Sequence, residues 1–186
     1  MNVCLVAAFV MMYFESKLNA DKKEAADLYN LGWEYQYGKN RKQDFQQSAK
    51  YYLQAAEMGH VAAQCNIGYY YSRGIGVKQN IEKGLMWTRK GAEGGNKYAQ
   101  YNLARDLIKI GQVDEGFLWL KKAARQLHPE AIFSCGILCL GRMGGKKNTL
   151  KAIGYLLLAL FTKNRTQAWQ SLLSVDVNNT FPRQNA

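Results

Sequence analysis

Residues 61–96 read VAAQCNIGYYYSRGIGVKQNIEKGLMWTRKGAEGGN, and residues 25–60 read AADLYNLGWEYQYGKNRKQDFQQSAKYYLQAAEMGH. The two segments have the same length and match along it, so that Leu31-Gly32 aligns with Ile67-Gly68. Self-similarity at a period of about 20 to 50 residues is typical of solenoids and other repeat arrays. We therefore interpret the chain as an array of structural repeats.

Two further copies follow, at 97–128 with a central loop four residues shorter and at 129–164 with a weaker match. Each copy has apolar residues at helical spacing on both sides of its loop, as expected for two helices. One such hairpin cannot bury its apolar face alone, so neighbouring copies must stack. The pattern predicts an all-α fold, an α-solenoid of about four helix-turn-helix repeats in residues 21–164.

Start and stop signals mark the second helix of each copy. Gln47 follows Asp44 at the spacing of a capping box, and Gly59 and Gly95 stand where helices end in a left-handed residue. One residue of every copy stands where an N-cap is expected: Asp44, Asn80, Gln112 and Asn148.

Small residues recur in both helices of each copy. The first-helix column consists of Gly32, Gly68, Ala104 and Gly136. The second-helix column consists of Ala55, Gly91, Ala123 and Ala159. Because glycine in a helix interior costs about 1 kcal/mol relative to alanine, its recurrence indicates a close approach of helices. We expect the two columns to face each other within each hairpin.

The combined pattern A-x-x-x-L-G-x-x-Y…G-x-G-V…W-x-x-K-A-A-x-x-G resembles the Sel1-like repeat (SLR), a relative of the tetratricopeptide repeats. The match is strong in residues 25–96 and weak in the last copy, where Leu157-Leu158-Ala159-Leu160 replaces K-A-A. The resemblance implies an adaptor without enzymatic activity. Members act in signalling, secretion, quality control or host interaction, and some small exported bacterial members resemble immunity proteins that inhibit a toxic effector.

The N-terminal segment has the features of an export signal. Residues 3–14 carry no charge. This apolar segment is too short for a membrane span, which needs about 20 residues, but it suits the apolar core of a signal peptide. Leu18-Asn19-Ala20 offers a small residue before a cut. We predict a signal peptide at 1–20 and a periplasmic or secreted protein. The alternative is a first helix that caps the repeats of a cytoplasmic protein.

The chain is basic, with a formal net charge of +11. Residues 1–96 contribute +3 and residues 97–186 contribute +8. This bias indicates an acidic partner, a nucleic acid or an anionic membrane surface, and the alternative is a solvated surface without a partner.

The sequence offers little for catalysis. His60 and His128 occupy the last position of their repeats, which predicts a turn. The adjacent Asp114-Glu115 would point about 100° apart on a helix. Cys135 and Cys139 fall on one helix face, where buried thiols are expected. We predict no catalytic centre, no metal site and no cofactor.

The first-helix face is the candidate binding surface, because in the related tetratricopeptide repeats it lines the concave groove. Tyr, Trp and Arg are common hot-spot residues at interfaces. For Tyr29 and Tyr101 the alternative is packing between repeats. The candidate residues are Tyr29, Trp33, Tyr37, Tyr69, Arg73, Tyr101, Arg105 and Lys109.

The sequence therefore predicts a protein-protein interaction scaffold that binds an acidic protein or peptide partner in a concave groove. The alternative is a basic repeat protein that binds nucleic acid, with tyrosines stacking on bases and cations meeting phosphates. Residues 165–186 lie outside the repeats. In this segment we expect a short helix at Gln167–Leu173 that covers the last repeat, followed by a polar tail.

Overall fold

The computed structural model describes residues 3–142 and 146–161, with side chains at 9–140 and 151–159. Eight α-helices and no strand occur within these ranges. They are α1 (Val3–Tyr37), α2 (Phe45–Glu57), α3 (Val61–Arg73), α4 (Ile81–Glu93), α5 (Lys97–Lys109), α6 (Val113–Arg125), α7 (Pro129–Arg142) and α8 (Lys146–Phe161). The predicted capping helix Gln167–Leu173 and the polar tail lie outside the described residues.

The chain divides into two compact units, residues 1–99 and 100–186. In the first unit α1 packs on α2, α2 on α3 and α3 on α4. In the second unit α6 packs on α7 and α7 on α8. The described part of the chain therefore consists of antiparallel helical hairpins, as the repeat pattern predicted.

Each unit has its own core. The first unit buries a cluster of small and aromatic side chains: Ala49, Tyr52, Ala55, Ala56, Ala63, Ile67, Tyr70 and Trp87. The second unit fully buries Leu103, Leu107, Leu120, Ile132 and Cys135. Small residues in the cores let the helix backbones approach, and large ones fill the remaining space.

Three of the four predicted residues stand at the N-cap of their helix, and two of them make side-chain cap bonds. Asp44 Oδ1 accepts hydrogen bonds from the backbone N–H groups of Gln46 and Gln47, at 2.8 and 3.0 Å. Asn80 Oδ1 accepts from the Lys83 N–H at 2.8 Å. These bonds satisfy donors that the first turn of a helix leaves free.

Of the other two, Gln112 holds the N-cap position of α6 as predicted, and Asn148 was predicted wrongly. Gln112 makes no side-chain cap bond, and acidic Asp114 and Glu115 occupy the first turn of α6, where the helix dipole favours them. Asn148 lies inside α8, which begins at Lys146. The reciprocal half of the capping box at Asp44 is also absent, since the Asp44 N–H donates to the Tyr35 carbonyl at the end of α1.

The glycine columns pair differently from the prediction. Gly59 and Gly95 have φ angles of 86° and 87°, as expected for helix ends. Gly68, however, meets Gly84 and Thr88 of α4, while Gly91 meets the backbone at the start of α3. In an antiparallel hairpin, residues equally far from the loop face each other. Gly68 is too close to the loop to meet Gly91.

Candidate functional site

An aromatic pair stands on the surface of the first unit. Trp33 and Tyr37 lie one turn apart on α1, with ring centroids 5.0 Å apart. Trp33 is 36% exposed and Tyr37 is 60% exposed. The Nζ atom of Lys39 lies 5.2 Å from the Trp33 ring centroid. Cation–π contacts of this kind contribute about 0.5–1 kcal/mol at exposed sites.

Lys39 was not predicted from the sequence, because it lies in the loop beyond the helical face. Gly38 and Asn40 both have positive φ and turn the chain back along α1. The Glu34 carboxylate then accepts hydrogen bonds from Arg41 Nε at 2.8 Å and Asn40 Nδ2 at 3.3 Å. The bond from Arg41 lowers the pKa of Glu34 and keeps it ionised. Gly38 at the helix end was the available signal for this turn.

The second repeat carries the same combination of residue types. Tyr69 is 37% exposed on α3, and the Arg73 guanidinium lies 5.8 Å from the centroid of its ring. Arg73 is exposed at the end of the helix. Both repeats of the first unit thus present an aromatic ring beside a cation, a composition that suits an interface.

Tyr29 and Tyr101 contribute to packing. The Tyr29 ring stacks on His60 with centroids 4.5 Å apart, and Tyr101 stacks on His128 at 4.7 Å. Burial raises the pKa of both phenols. Their rings lie against the end of the same repeat, so they offer less surface to a ligand than Trp33 or Tyr37.

Both histidines cap helices. His60 Nδ1 accepts a hydrogen bond from the Ala63 N–H at 3.2 Å, and His128 Nδ1 accepts one from the Ala131 N–H at 3.4 Å. The predicted turn is therefore the N-cap of the following first helix, and these nitrogens are engaged by the backbone.

In the second unit, α5 presents two cations one turn apart. Arg105 has 37% of its side-chain surface exposed, and its Nε lies 3.7 Å from Asp106 Oδ1. Lys109 is exposed at the helix end. Arg105 is also close enough to the Tyr101 phenol to oppose part of the rise in its pKa that burial causes. The predicted residues of this unit follow one another along α5: Tyr101 and Arg105 are half-buried and Lys109 is exposed.

The described residues offer little for other kinds of chemistry. They contain no group of three or more His, Cys, Asp and Glu side chains that could hold a metal ion. The thiols of Cys65, Cys135 and Cys139 are buried and form no disulfide. Burial raises the pKa of Cys135 to about 12, which suppresses thiolate formation. None of the helices described is both long enough and apolar enough for a membrane span.

Comparisons with known proteins identify the repeats. The family model described as "Sel1 repeat" matches residues 25–60, 61–96, 97–126 and 129–160. No curated protein matches the chain significantly.

Among solved structures, a Sel1 repeat protein from Oxalobacter formigenes is 27% identical, with a TM-score of 0.65 over 75% of this chain and 59% of its own. A protective antigen of uropathogenic Escherichia coli strains, which displays an SLR fold, is 28% identical, with a TM-score of 0.66 over 75% of this chain and 31% of its own. The chain thus spans less than two thirds of the length of either structure. The all-α repeat fold is confirmed, and the chain belongs to the Sel1 repeat family.

Proposed function

We propose that this protein is a non-enzymatic adaptor that binds an acidic protein or peptide through the exposed side chains of its first helices. Sel1 repeat proteins generally mediate protein–protein interaction. The observation that carries the proposal is the exposed Trp33–Tyr37 pair with Lys39 beside it. The free energy falls when a partner covers a water-exposed tryptophan, and neighbouring cations attract acidic groups.

The expected energy is large enough to measure. Fully covering a large apolar side chain is worth about 1.5–3 kcal/mol, and interface tryptophans are frequent hot spots. Because only 36% of Trp33 is exposed, covering it is worth about 1 kcal/mol, so we expect its loss to weaken binding roughly 5-fold.

A pull-down from cells of the source organism tests the proposal. The baits are the wild-type protein, the double variant Trp33→Ala/Tyr37→Ala and the matched control Met86→Ala. Met86 is an apolar residue of the same unit, 45% exposed on the second helix α4. The partner should be captured by the wild type and Met86→Ala and lost with the double variant, whose circular dichroism spectrum should stay helical. Equal capture by all three baits would contradict the proposed surface.

Charge gives an independent test. Binding of the captured protein should weaken as salt is raised, because the proposed surface combines aromatic rings with cations. A parallel titration with single-stranded RNA tests the alternative function at the same salt concentrations. Tighter binding of RNA than of the captured protein would favour that alternative.

We also propose that residues 1–20 are removed during export to the periplasm or beyond the cell. In support, every side chain from 9 to 24 is exposed, and Ala25 is the first buried residue of α1. A cut after Ala20 would therefore remove no described buried contact, although it would shorten α1. N-terminal sequencing of the natural protein should begin at Asp21. A sequence that begins at Met1 or Asn2 would contradict export by cleavage.

A further inference from the structure

We propose that Arg105 binds one carboxylate of the acidic partner through two parallel hydrogen bonds, from Nε and Nη2. This inference rests on the proposed function and specifies the chemical group that the second unit recognises. Arg105 belongs to the second unit, and the aromatic surface around Trp33 belongs to the first.

The first observation is that one edge of the guanidinium is unsatisfied. Nε and Nη2 of Arg105 are both buried, and neither has a hydrogen-bond partner among the described residues. Together these two nitrogens can form a planar edge that matches the two oxygens of a carboxylate. Buried donors without an acceptor are costly, and charged donors especially so. The two donors would therefore be more stable if they were hydrogen-bonded to an acceptor.

Asp106 does not supply that acceptor. Its Oδ1 lies 3.7 Å from Arg105 Nε, whereas charge-assisted N–H···O bonds measure about 2.7–2.9 Å. Adjacent residues of a helix also point about 100° apart, so Asp106 is badly placed to meet both nitrogens of the edge. The pair is a long electrostatic contact that leaves Nε and Nη2 of Arg105 without a hydrogen bond among the described residues.

The edge can reach solvent. More than a third of the Arg105 side chain is already exposed, at 37%. Rotation about the side-chain bonds would turn the edge outward and would break the long contact with Asp106. Lys109 is exposed one helical turn further along α5 and adds a second positive charge on the same side.

The surrounding charges give a phosphate no advantage over a carboxylate. Glu130 lies close enough to the Tyr101 phenol to raise its pKa further, and Asp106 adjoins Arg105. These carboxylates offset part of the positive charge of Arg105 and Lys109. The charge of a phosphate monoester, about −1.5 to −2, would increase its repulsion by these carboxylates as well as its attraction to the cations, and therefore brings little net gain over a singly charged carboxylate.

The test uses three probes and the full-length protein. One peptide, acetyl-Gly-Glu-Glu-Gly-amide, offers side-chain carboxylates. A second, acetyl-Gly-Ser-Ala-Ala with a free C-terminus, offers a main-chain carboxylate. The third probe is inorganic phosphate. Binding is followed by the NMR resonance of the Arg105 Nε–H group, which is assigned by its disappearance in Arg105→Lys.

We expect a saturable shift of this resonance with at least one peptide, and the responding peptide identifies the carboxylate source. Arg105→Lys keeps the charge and loses the planar edge, so it should weaken binding of that peptide about 10-fold or more. Arg125→Lys on α6 is the matched control, because Arg125 is an exposed arginine of the same unit. Its affinity should stay at the wild-type value. Circular dichroism verifies that both variants are folded.

Three results would overturn the inference: no saturable shift with either peptide, equal affinity in Arg105→Lys and the wild type, or tighter binding of phosphate than of both peptides. The adaptor function is judged separately by the Trp33 variants. If a partner is lost with Trp33→Ala/Tyr37→Ala but the peptides leave the Arg105 resonance unmoved, the adaptor stands and the carboxylate site fails.

Discussion

Gly68 lies at a close approach of α3 and α4, and its replacement by alanine tests how the hairpins pack. A Cβ atom at this position would lie 2.7 Å from the backbone nitrogen of Thr88 and 3.1 Å from the carbonyl oxygen of Gly84. It would also meet the hydroxyl group of Thr88. Backbone atoms cannot rotate away as the end of a long side chain can. We therefore expect Gly68→Ala to push the two helices apart.

The size of the effect follows from these distances. An ordinary contact begins at 3.4 Å, so the backbones must separate locally by about 0.7 Å. Adding a methyl group to a packed interior costs about 1–3 kcal/mol, and contact with backbone places Gly68 near the upper limit. The helix propensity of alanine returns about 1 kcal/mol. The free energy of unfolding should fall by about 2 kcal/mol and the midpoint temperature by about 4–8 °C.

Thermal and urea unfolding followed by circular dichroism measure this change. The matched control is Gly154→Ala, because Gly154 lies within α8 and a Cβ atom there would have no described neighbour within 4 Å. That variant should gain up to about 1 kcal/mol from helix propensity alone. If Gly68→Ala is as stable as the wild type, or gains as much as Gly154→Ala, the argument from close helix approach is refuted.

Three further predictions concern single side chains. Asp44→Ala removes the cap bonds at the start of α2 and should lower the free energy of unfolding in urea by about 1 kcal/mol. Gln112→Ala, which removes no side-chain cap bond, should have little effect, and equal losses would contradict the assignment. Because burial raises the pKa of Cys135 to about 12, its thiol should resist iodoacetamide in the folded protein and react in urea; rapid labelling of the folded protein, seen by mass spectrometry, would disprove this. Burial lowers the pKa of His60 below 6.5, so the unfolded chain binds this proton more tightly and stability should fall as the pH drops below 6.5. His60→Asn replaces the histidine with asparagine, the residue type that caps α5 at position 96. This variant should show a weaker dependence of stability on pH, and an unchanged dependence would count against the role of His60.

Local signals predicted helix starts and ends only in part. Asp44 and Asn80 cap as expected because a short side chain at the N-cap reaches the free N–H groups of its own helix. Gln112 holds the equivalent repeat position without making that bond. Its longer side chain makes no bond to the free N–H groups, and the acidic residues in the first turn of α6 interact favourably with the helix dipole instead.

The candidate surface was predictable to a similar extent. Helical spacing placed Trp33 and Tyr37 on one side of α1, and the structure brings their rings together. The spacing could not distinguish them from Tyr29, which stacks on His60 from the end of the same repeat. It also could not include Lys39, whose position depends on the turn at Gly38.

The amino-acid sequence alone determined the repeat length, the helical hairpins and the membership of the Sel1 repeat family, because periodicity and turn residues act within a few neighbours along the chain. Only the tertiary structure decided which small residues meet, as Gly68 and Gly84 do. It also decided which aromatic rings are covered and that one edge of Arg105 lacks an acceptor in the described part of the chain. These features depend on how each helix packs against its neighbour, and contacts between residues far apart in sequence determine that packing.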